Sequence, residues 1–108
     1  MADPATIAEI MNRMWAKHLP EIEDRVAVLE NAAAAASEGA LTAELREQAG
    51  SAAHKLAGVL GTFGLDQGTN LAREAESLYT REGSVALLDG RPAAIAEQLR
   101  AVVASRNR

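Results

Sequence analysis

Apolar residues recur along most of this chain at the spacing of an α-helix, and this periodicity constrains the fold more than any other feature. Ile7, Ile10, Met11 and Met14 follow one another at such intervals, and similar stripes continue to the C-terminal segment. Only 3% of the residues are aromatic, so a core must be built mainly from alanine and aliphatic side chains, a mixture that suits helices. The sequence therefore predicts an all-α protein.

The apolar stripes divide the chain into five predicted helical segments. The first ends at Pro20 or the second begins there, because proline fits the first turn of a helix. Further stripes cover 22–36, 45–63, 71–79 and 95–102, with a looser stretch over 82–92 before the last one. Short connections favour antiparallel neighbours, so we expect an antiparallel up-and-down four-helix bundle with an additional N-terminal capping helix. Residues 1–108 are expected to form this bundle as a single domain.

Local signals mark several helix ends. Thr42 is a predicted N-cap for the third helical segment, and Gly64 suits the left-handed position after the end of that segment. Asp66 is a predicted cap for the fourth segment. The alanine run over 32–36 indicates close helix packing, not a linker. His18, at the end of the first stripe, is expected to be half-buried or to cap a helix end.

Composition and charge exclude several classes of function. The chain has no cysteine, which excludes a disulfide scaffold and thiolate chemistry, and its net charge of −4 argues against binding to nucleic-acid phosphates. No apolar run approaches the ~18 residues of a membrane span, and the N-terminus lacks the pattern of a secretion signal. We therefore expect a cytoplasmic protein without a membrane or nucleic-acid partner. Five helices in one chain favour a monomer.

The segment that contains His54 carries a surface with few side chains. Counted at ~100° per residue, its apolar residues lie within roughly 60° of one direction, and His54 lies about 180° from it. Gly50, Gly58 and Gly61 fall within roughly 40° of His54, although each glycine inside a helix costs ~1 kcal/mol relative to alanine. The bare surface indicates close approach of another molecule. Gly50, Ser51 and Gly61 are therefore predicted docking residues.

The stretch HKLAGVLGTFGL, residues 54–65, resembles the signature of histidine-containing phosphotransfer (HPt) domains, the relays of bacterial two-component signalling. The resemblance extends over nearly the whole chain, through the number of helices, the position of the histidine in the third of them, and AREAESL in the next. It implies that His54 is the phospho-acceptor and that Gly58, one turn later, leaves room for the phosphoryl group. The family's usual lysine three residues after the histidine is replaced by Ala57, and Lys55 is the nearest basic residue for phosphate support.

The same resemblance implies which partners the protein has. They are receiver domains of response regulators or hybrid histidine kinases, which carry a phosphorylated aspartate and a Mg²⁺ site. The domain itself is expected to need no cofactor and to be a phosphotransfer carrier, not an enzyme with its own kinase site. The glycine-rich stretch 58–64 agrees, because it lacks the preceding strand and the following Lys-Ser/Thr of a nucleotide-binding loop. No metal site is expected, because the positions three and four residues from His54 carry no metal ligands.

The residues alone leave two other functions open. The chain could be a helical docking module that binds receivers or kinases without accepting phosphate, or the dimerisation bundle of a histidine kinase. An exposed imidazole favours phosphate transfer, because near neutral pH one ring nitrogen offers a lone pair without the help of a base. On the next helix, Arg73, Glu74 and Glu76 are predicted to form a solvated face that borders the docking surface.

Overall fold

A computed structural model describes residues 4–81 and 89–107 of the chain. The described residues form four helices, α1 (Pro4–Ser37), α2 (Ala43–Thr62), α3 (Asp66–Thr80) and α4 (Arg91–Arg106). These two ranges contain no strand, so the predicted all-α class is confirmed. None of the described helices is long and apolar enough to cross a membrane. Most of the predicted loose stretch, residues 82–88, lies outside the described residues.

Each helix packs against its neighbours in sequence, and α4 also packs against α1. The four helices therefore form a closed ring. The α1–α2 connection covers residues 38–42 and the α2–α3 connection covers residues 63–65. Connections this short reverse the direction of the chain, which gives the up-and-down bundle that the sequence predicts.

The core of the bundle consists of alanine and aliphatic side chains. The largest fully buried side chains are those of Ile22, Val26, Leu29, Leu56, Leu60, Ile95 and Leu99. Within the alanine run, Ala32, Ala33 and Ala36 are buried, so the run packs against neighbouring helices as predicted. Small side chains allow helices to approach closely, and the dispersion contacts of closely packed atoms then stabilise a core that has few aromatic rings.

The structure agrees with two predicted helix ends and corrects a third. The Thr42 hydroxyl accepts a hydrogen bond of 3.1 Å from the Leu45 amide, which confirms the N-cap of α2. Gly64 follows α2 with φ of 72°, the left-handed conformation that glycine adopts without steric cost. The predicted cap at Asp66 is wrong, because α3 begins at Asp66 itself and Leu65 precedes it. The Asp66 carboxylate lies instead in the first turn, near the positive end of the helix dipole.

The predicted break at Pro20 is wrong, because α1 continues through this residue. Proline has no amide hydrogen to donate to the carbonyl of Ala16, one turn earlier, and this loss normally interrupts a helix. The Pro20 ring is exposed, whereas Trp15 and Ile22 on either side of it are buried. Packing of these flanking segments holds the helix together at a position where the local sequence disfavours it. The first two predicted helices are therefore one.

The N-terminal part of α1 covers one end of the bundle, the role that the sequence pattern assigns to a separate capping helix. The Trp15 indole is buried, and its ring centre lies 5.1 Å from that of Phe63 in an edge-to-face contact. It donates a hydrogen bond to the Asn107 side chain, and the Arg106 guanidinium lies 5.3 Å from its ring centre. An aromatic pair of this kind contributes ~0.5–1.5 kcal/mol beyond area burial. These contacts join α1, α2 and α4 at one end of the bundle.

The first apolar stripe is only partly buried. Ile7, Ile10 and Met14 are 52%, 42% and 39% exposed, although they recur at the helical spacing that is typical of a buried stripe. At 1.5 Å per residue α1 is about 51 Å long and α2 about 30 Å, so the beginning of α1 extends past the helices it could pack against. His18 is half-buried, with its ring centre 6.4 Å from that of Phe63, as predicted.

Replacing Pro20 with alanine is expected to raise the free energy of unfolding by about 2 kcal/mol. A proline inside a helix costs ~3 kcal/mol relative to alanine, and its restriction of the unfolded chain offsets up to ~1 kcal/mol of this cost. Urea unfolding followed by the fluorescence of Trp15 measures the change. Asp24→Ala, at another exposed position of α1, is the control and should change stability little. A Pro20→Ala variant no more stable than the wild type would contradict the prediction.

Candidate functional site

His54 lies near the middle of α2, with its side chain 74% exposed. Ala53, Leu56 and Leu60 of the same helix are fully buried in the core. Because side chains three and four residues apart share one face of a helix, burial of these residues turns the imidazole toward solvent. The exposed position predicted for His54 is confirmed.

The Glu76 carboxylate of α3 fixes the orientation of the imidazole. Glu76 Oε2 lies 2.9 Å from His54 Nδ1. A carboxylate oxygen accepts hydrogen bonds, so Nδ1 carries the hydrogen and donates it. In the neutral ring Nε2 is then the nitrogen with a free lone pair, and it makes no hydrogen bond to any described residue.

The antiparallel contact between α2 and α3 brings Glu76 to His54. Three pairs of residues lie opposite each other along this contact: Gly61 with Thr69, His54 with Glu76, and Gly50 with Thr80. The buried Thr69 hydroxyl also donates a hydrogen bond of 3.4 Å to the Ala57 carbonyl. A residue further along α2 therefore faces a residue that comes correspondingly earlier in α3.

Open space adjoins His54 at Gly58, one turn further along α2. A β-carbon at Gly58 would meet no atom within 4 Å, and the residue is exposed. Ser51 and Gly61 are also exposed, although a β-carbon at Gly61 would lie 3.5 Å from the Thr69 hydroxyl. The surface around Gly58 thus has room for a group attached to the imidazole.

Gly50, which is predicted to be a docking residue, does not belong to this open surface, because α3 covers it. The structure buries Gly50, and a β-carbon there would lie 3.2 Å from the Thr80 methyl group. The missing side chain allows α3 to approach α2 closely beside His54. The helical period correctly assigns Gly50 to the histidine side of α2, but it does not indicate that α3 covers one edge of that side.

The cation predicted to support a phosphate lies on the other side of His54 from Glu76. Lys55 is exposed and borders a cleft between α1 and α2, together with Arg25, Glu44 and Glu47. Ala57, by contrast, is buried. At the level of His54 and Gly58, α2 therefore presents no basic side chain toward α3.

A mainly apolar groove borders His54 between the beginning of α2 and the end of α3. Its lining includes Ala43, Arg46, Gly50, Ser51, Tyr79 and Thr80. Burial raises the pKa of Tyr79 to about 12, and the Tyr79 hydroxyl has no hydrogen-bond partner among the described residues. The imidazole is thus flanked by an apolar groove toward the beginning of α2 and by the open surface at Gly58 toward its end.

The sequence-based assignment of Glu76 to a solvated face misses its contact with His54. The assignment is correct for Glu74, which pairs on the surface with Arg91, and this hydrogen bond lowers the pKa of Glu74. A signal for Glu76 does exist in the sequence. Leu65, in the short connection between α2 and α3, lies midway between His54 and Glu76, and residues equidistant from such a connection face each other in an antiparallel pair.

The arrangement suits nucleophilic chemistry at His54 Nε2. An imidazole whose Nδ1 hydrogen is bound by Glu76 can attack an electrophile through Nε2 and keep its proton. The positive charge that develops on the ring is then balanced by the adjacent carboxylate. Within residues 4–81 and 89–107, histidine, aspartate and glutamate side chains form no group of three that could hold a metal ion.

Alanine substitutions at the two glycines near His54 are expected to differ in their effect on stability. Gly58→Ala should raise the free energy of unfolding by about 1 kcal/mol, because the new methyl group enters open space and alanine favours a helix. Gly50→Ala should gain less, because its β-carbon presses on Thr80, whose hydroxyl is held by the Glu76 carbonyl at 2.7 Å. Urea unfolding of both variants tests the order, and a more stable Gly50→Ala variant would contradict it.

Comparison with known proteins relates this chain to a family of domains and to a longer protein. A family model described as the Hpt domain matches residues 13–105. Protein RcaC of Microchaete diplosiphon is 35% identical over 66 residues, which are 61% of this chain and 10% of that protein. The matched region thus spans about a tenth of the length of the relative. No solved structure gives a significant match.

Proposed function

The chain belongs to the Hpt domain family, and from this premise we propose that it carries a phosphoryl group on His54 between partners of a phosphorelay. The partners are receiver domains of response regulators or hybrid histidine kinases, whose phosphorylated aspartate exchanges the group with His54. One observation carries the proposal: Glu76 holds Nδ1 of an exposed imidazole, so Nε2 is free to react.

The transfer needs no proton movement at His54. The Nε2 lone pair attacks phosphorus, an N–P bond forms, and the P–O bond to the receiver aspartate breaks with its electron pair leaving on the aspartate carboxylate. The ring keeps its Nδ1 hydrogen and becomes positively charged. The Glu76 carboxylate at 2.9 Å stabilises that charge, and the reverse transfer passes through the same arrangement.

The shape of the surface around His54 determines whether a receiver can bring its phosphoryl group to the imidazole. Phosphoryl transfer requires mainly positioning and neutralisation of charge. The open surface at Gly58, with the exposed Ser51 and Gly61, allows the receiver to approach His54 closely. The Mg²⁺ that neutralises the phosphoryl oxygens during transfer belongs to the receiver. Members of this family are carriers, not kinases, so the phosphoryl group comes from a partner.

His54→Gln is expected to abolish phosphorylation and leave the thermal stability nearly unchanged, because the side chain is exposed and lies outside the core. A receiver domain phosphorylated with acetyl phosphate serves as the donor, and acid-labile label on the chain is the readout. His18→Gln is the matched control and should retain the label. A His54→Gln variant that is labelled like the wild type would overturn the proposed function.

Glu76→Gln is expected to lower the rate of transfer to His54 by roughly three- to tenfold, because the amide keeps the size of the side chain but lacks the charge that stabilises the cationic ring. Rapid-quench kinetics with the phosphorylated receiver measure the rate. Glu74→Gln, which alters a carboxylate bound to Arg91 on the same helix, should leave the rate unchanged. Equal rates for Glu76→Gln and the wild type would show that the carboxylate has no part in the reaction.

A further inference from the structure

A phosphoryl group on His54 brings negative charge to a surface where α2 offers little compensation. The imidazole is drawn toward α3 by its hydrogen bond to Glu76. On that side of α2 the nearest position, Ala57, is buried and uncharged, and Arg46 lies eight residues before His54, about 12 Å along the helix and away from Gly58. Lys55 lies toward α1 instead, in a cleft that also contains the carboxylates of Glu44 and Glu47. A cation beside a phosphoryl group that occupies the open surface at Gly58 must therefore come from another helix.

The antiparallel contact between α2 and α3 determines which residues of α2 lie beside Arg73. Arg73 precedes Glu76 by three residues, which is about 4.5 Å along α3 and about 60° around it. Ala57 follows His54 by the same interval along α2. Because the two helices are antiparallel and His54 lies opposite Glu76, these displacements point in the same direction. Arg73 is therefore level with Ala57 and with the open space at Gly58.

Arg73 is also an available cation. It is exposed, and no hydrogen bond or ion pair joins it to another described residue. Three other arginines of the described ranges are engaged in ion pairs: Arg25 with Glu21, Arg91 with Glu74, and Arg100 with Glu30. Arg46, whose Nε and Nη2 have no hydrogen-bond partner in these ranges, lies at the beginning of α2 and not beside Gly58. Glu74, the neighbour of Arg73, is bound by Arg91, and Glu76 is bound by His54, so neither carboxylate holds Arg73.

We infer that Arg73 binds the phosphoryl group on His54, so that the cation expected at position 57 of α2 is supplied by α3. The inference rests on the proposed function of His54. The small side chain at Ala57 and the missing side chain at Gly58 leave the space between the arginine and the imidazole clear. The guanidinium donates two parallel hydrogen bonds to phosphoryl oxygens, while Glu76 holds Nδ1 on the other side of the ring.

This arrangement gives each charge of the phosphorylated residue its own partner on α3. Glu76 faces the cationic ring, and Arg73 faces the anionic phosphoryl group one turn away. The phosphorylated form of the chain is stabilised relative to the free form, which shifts the exchange with a receiver toward phosphohistidine. Removal of Arg73 consequently lowers the extent of phosphorylation without removing the acceptor.

The test uses the whole chain and phosphoramidate, a small donor whose P–N bond breaks with release of ammonia when its phosphoryl group passes to His54. Phosphorus NMR measures the fraction of phosphohistidine at a fixed ratio of phosphoramidate to ammonium. Arg73→Ala should lower the ratio of phosphorylated to free chain by roughly three- to tenfold, and Arg73→Lys should restore part of it. The effect should shrink as salt is added, because added ions screen an exposed charge pair.

Arg81→Ala is the matched control. It removes the same charge from the exposed C-terminal end of α3, beyond Thr80, and should leave the ratio unchanged. Equal loss in Arg81→Ala and Arg73→Ala would overturn the inference in favour of a general charge effect, and so would no loss in Arg73→Ala. In both cases the wild-type chain is still labelled on His54, and the proposed function stands. A wild-type chain without phosphohistidine overturns both proposals.

Discussion

Close packing of α2 against α3 is the interaction on which the rest of the structure depends. Both helices bury small residues, among them Gly50 and Ala57 on α2 and Ala72 and Ala75 on α3. Small side chains let the two backbones approach, and the approach lets side chains at the outer edges of the helices meet. The bond between His54 and Glu76 is such a meeting, since both side chains are partly or largely exposed. The same packing therefore stabilises the bundle and orients the His54 imidazole.

The surface at His54 combines three properties that a nucleophilic imidazole needs. A reactive imidazole has to be accessible, to be held in one orientation, and to have few neighbours. Exposure follows from the core on the other side of α2, and orientation follows from a single hydrogen bond to Glu76 that leaves Nε2 free. The lack of neighbours follows from Gly58, at a cost in helix stability of ~1 kcal/mol relative to alanine. The site thus gives up some local stability, and the alanine and aliphatic core keeps the bundle folded.

Much of this arrangement could be predicted from the sequence. The all-α class follows from apolar residues at helical spacing, and the exposure of His54 follows from the same spacing within one helix. The cap at Thr42 and the turn at Gly64 follow from the hydrogen-bonding capacity of a hydroxyl and from the conformational freedom of glycine. Each of these properties depends on residues close together in the chain, so the local sequence contains the information that determines it.

Only the tertiary structure decided how the segments meet. Pro20 lies inside a continuous helix because side chains on both sides of it pack against other helices, which the local pattern does not show. The exposure of Ile7 follows from the length of α1 relative to its neighbours. The burial of Gly50 and the bond from His54 to Glu76 require the antiparallel contact of α2 and α3. The sequence by itself thus determined which residues face outward on each helix, whereas packing between helices determined which of those residues touch, because helical periodicity fixes directions within a segment and not the distance to the next one.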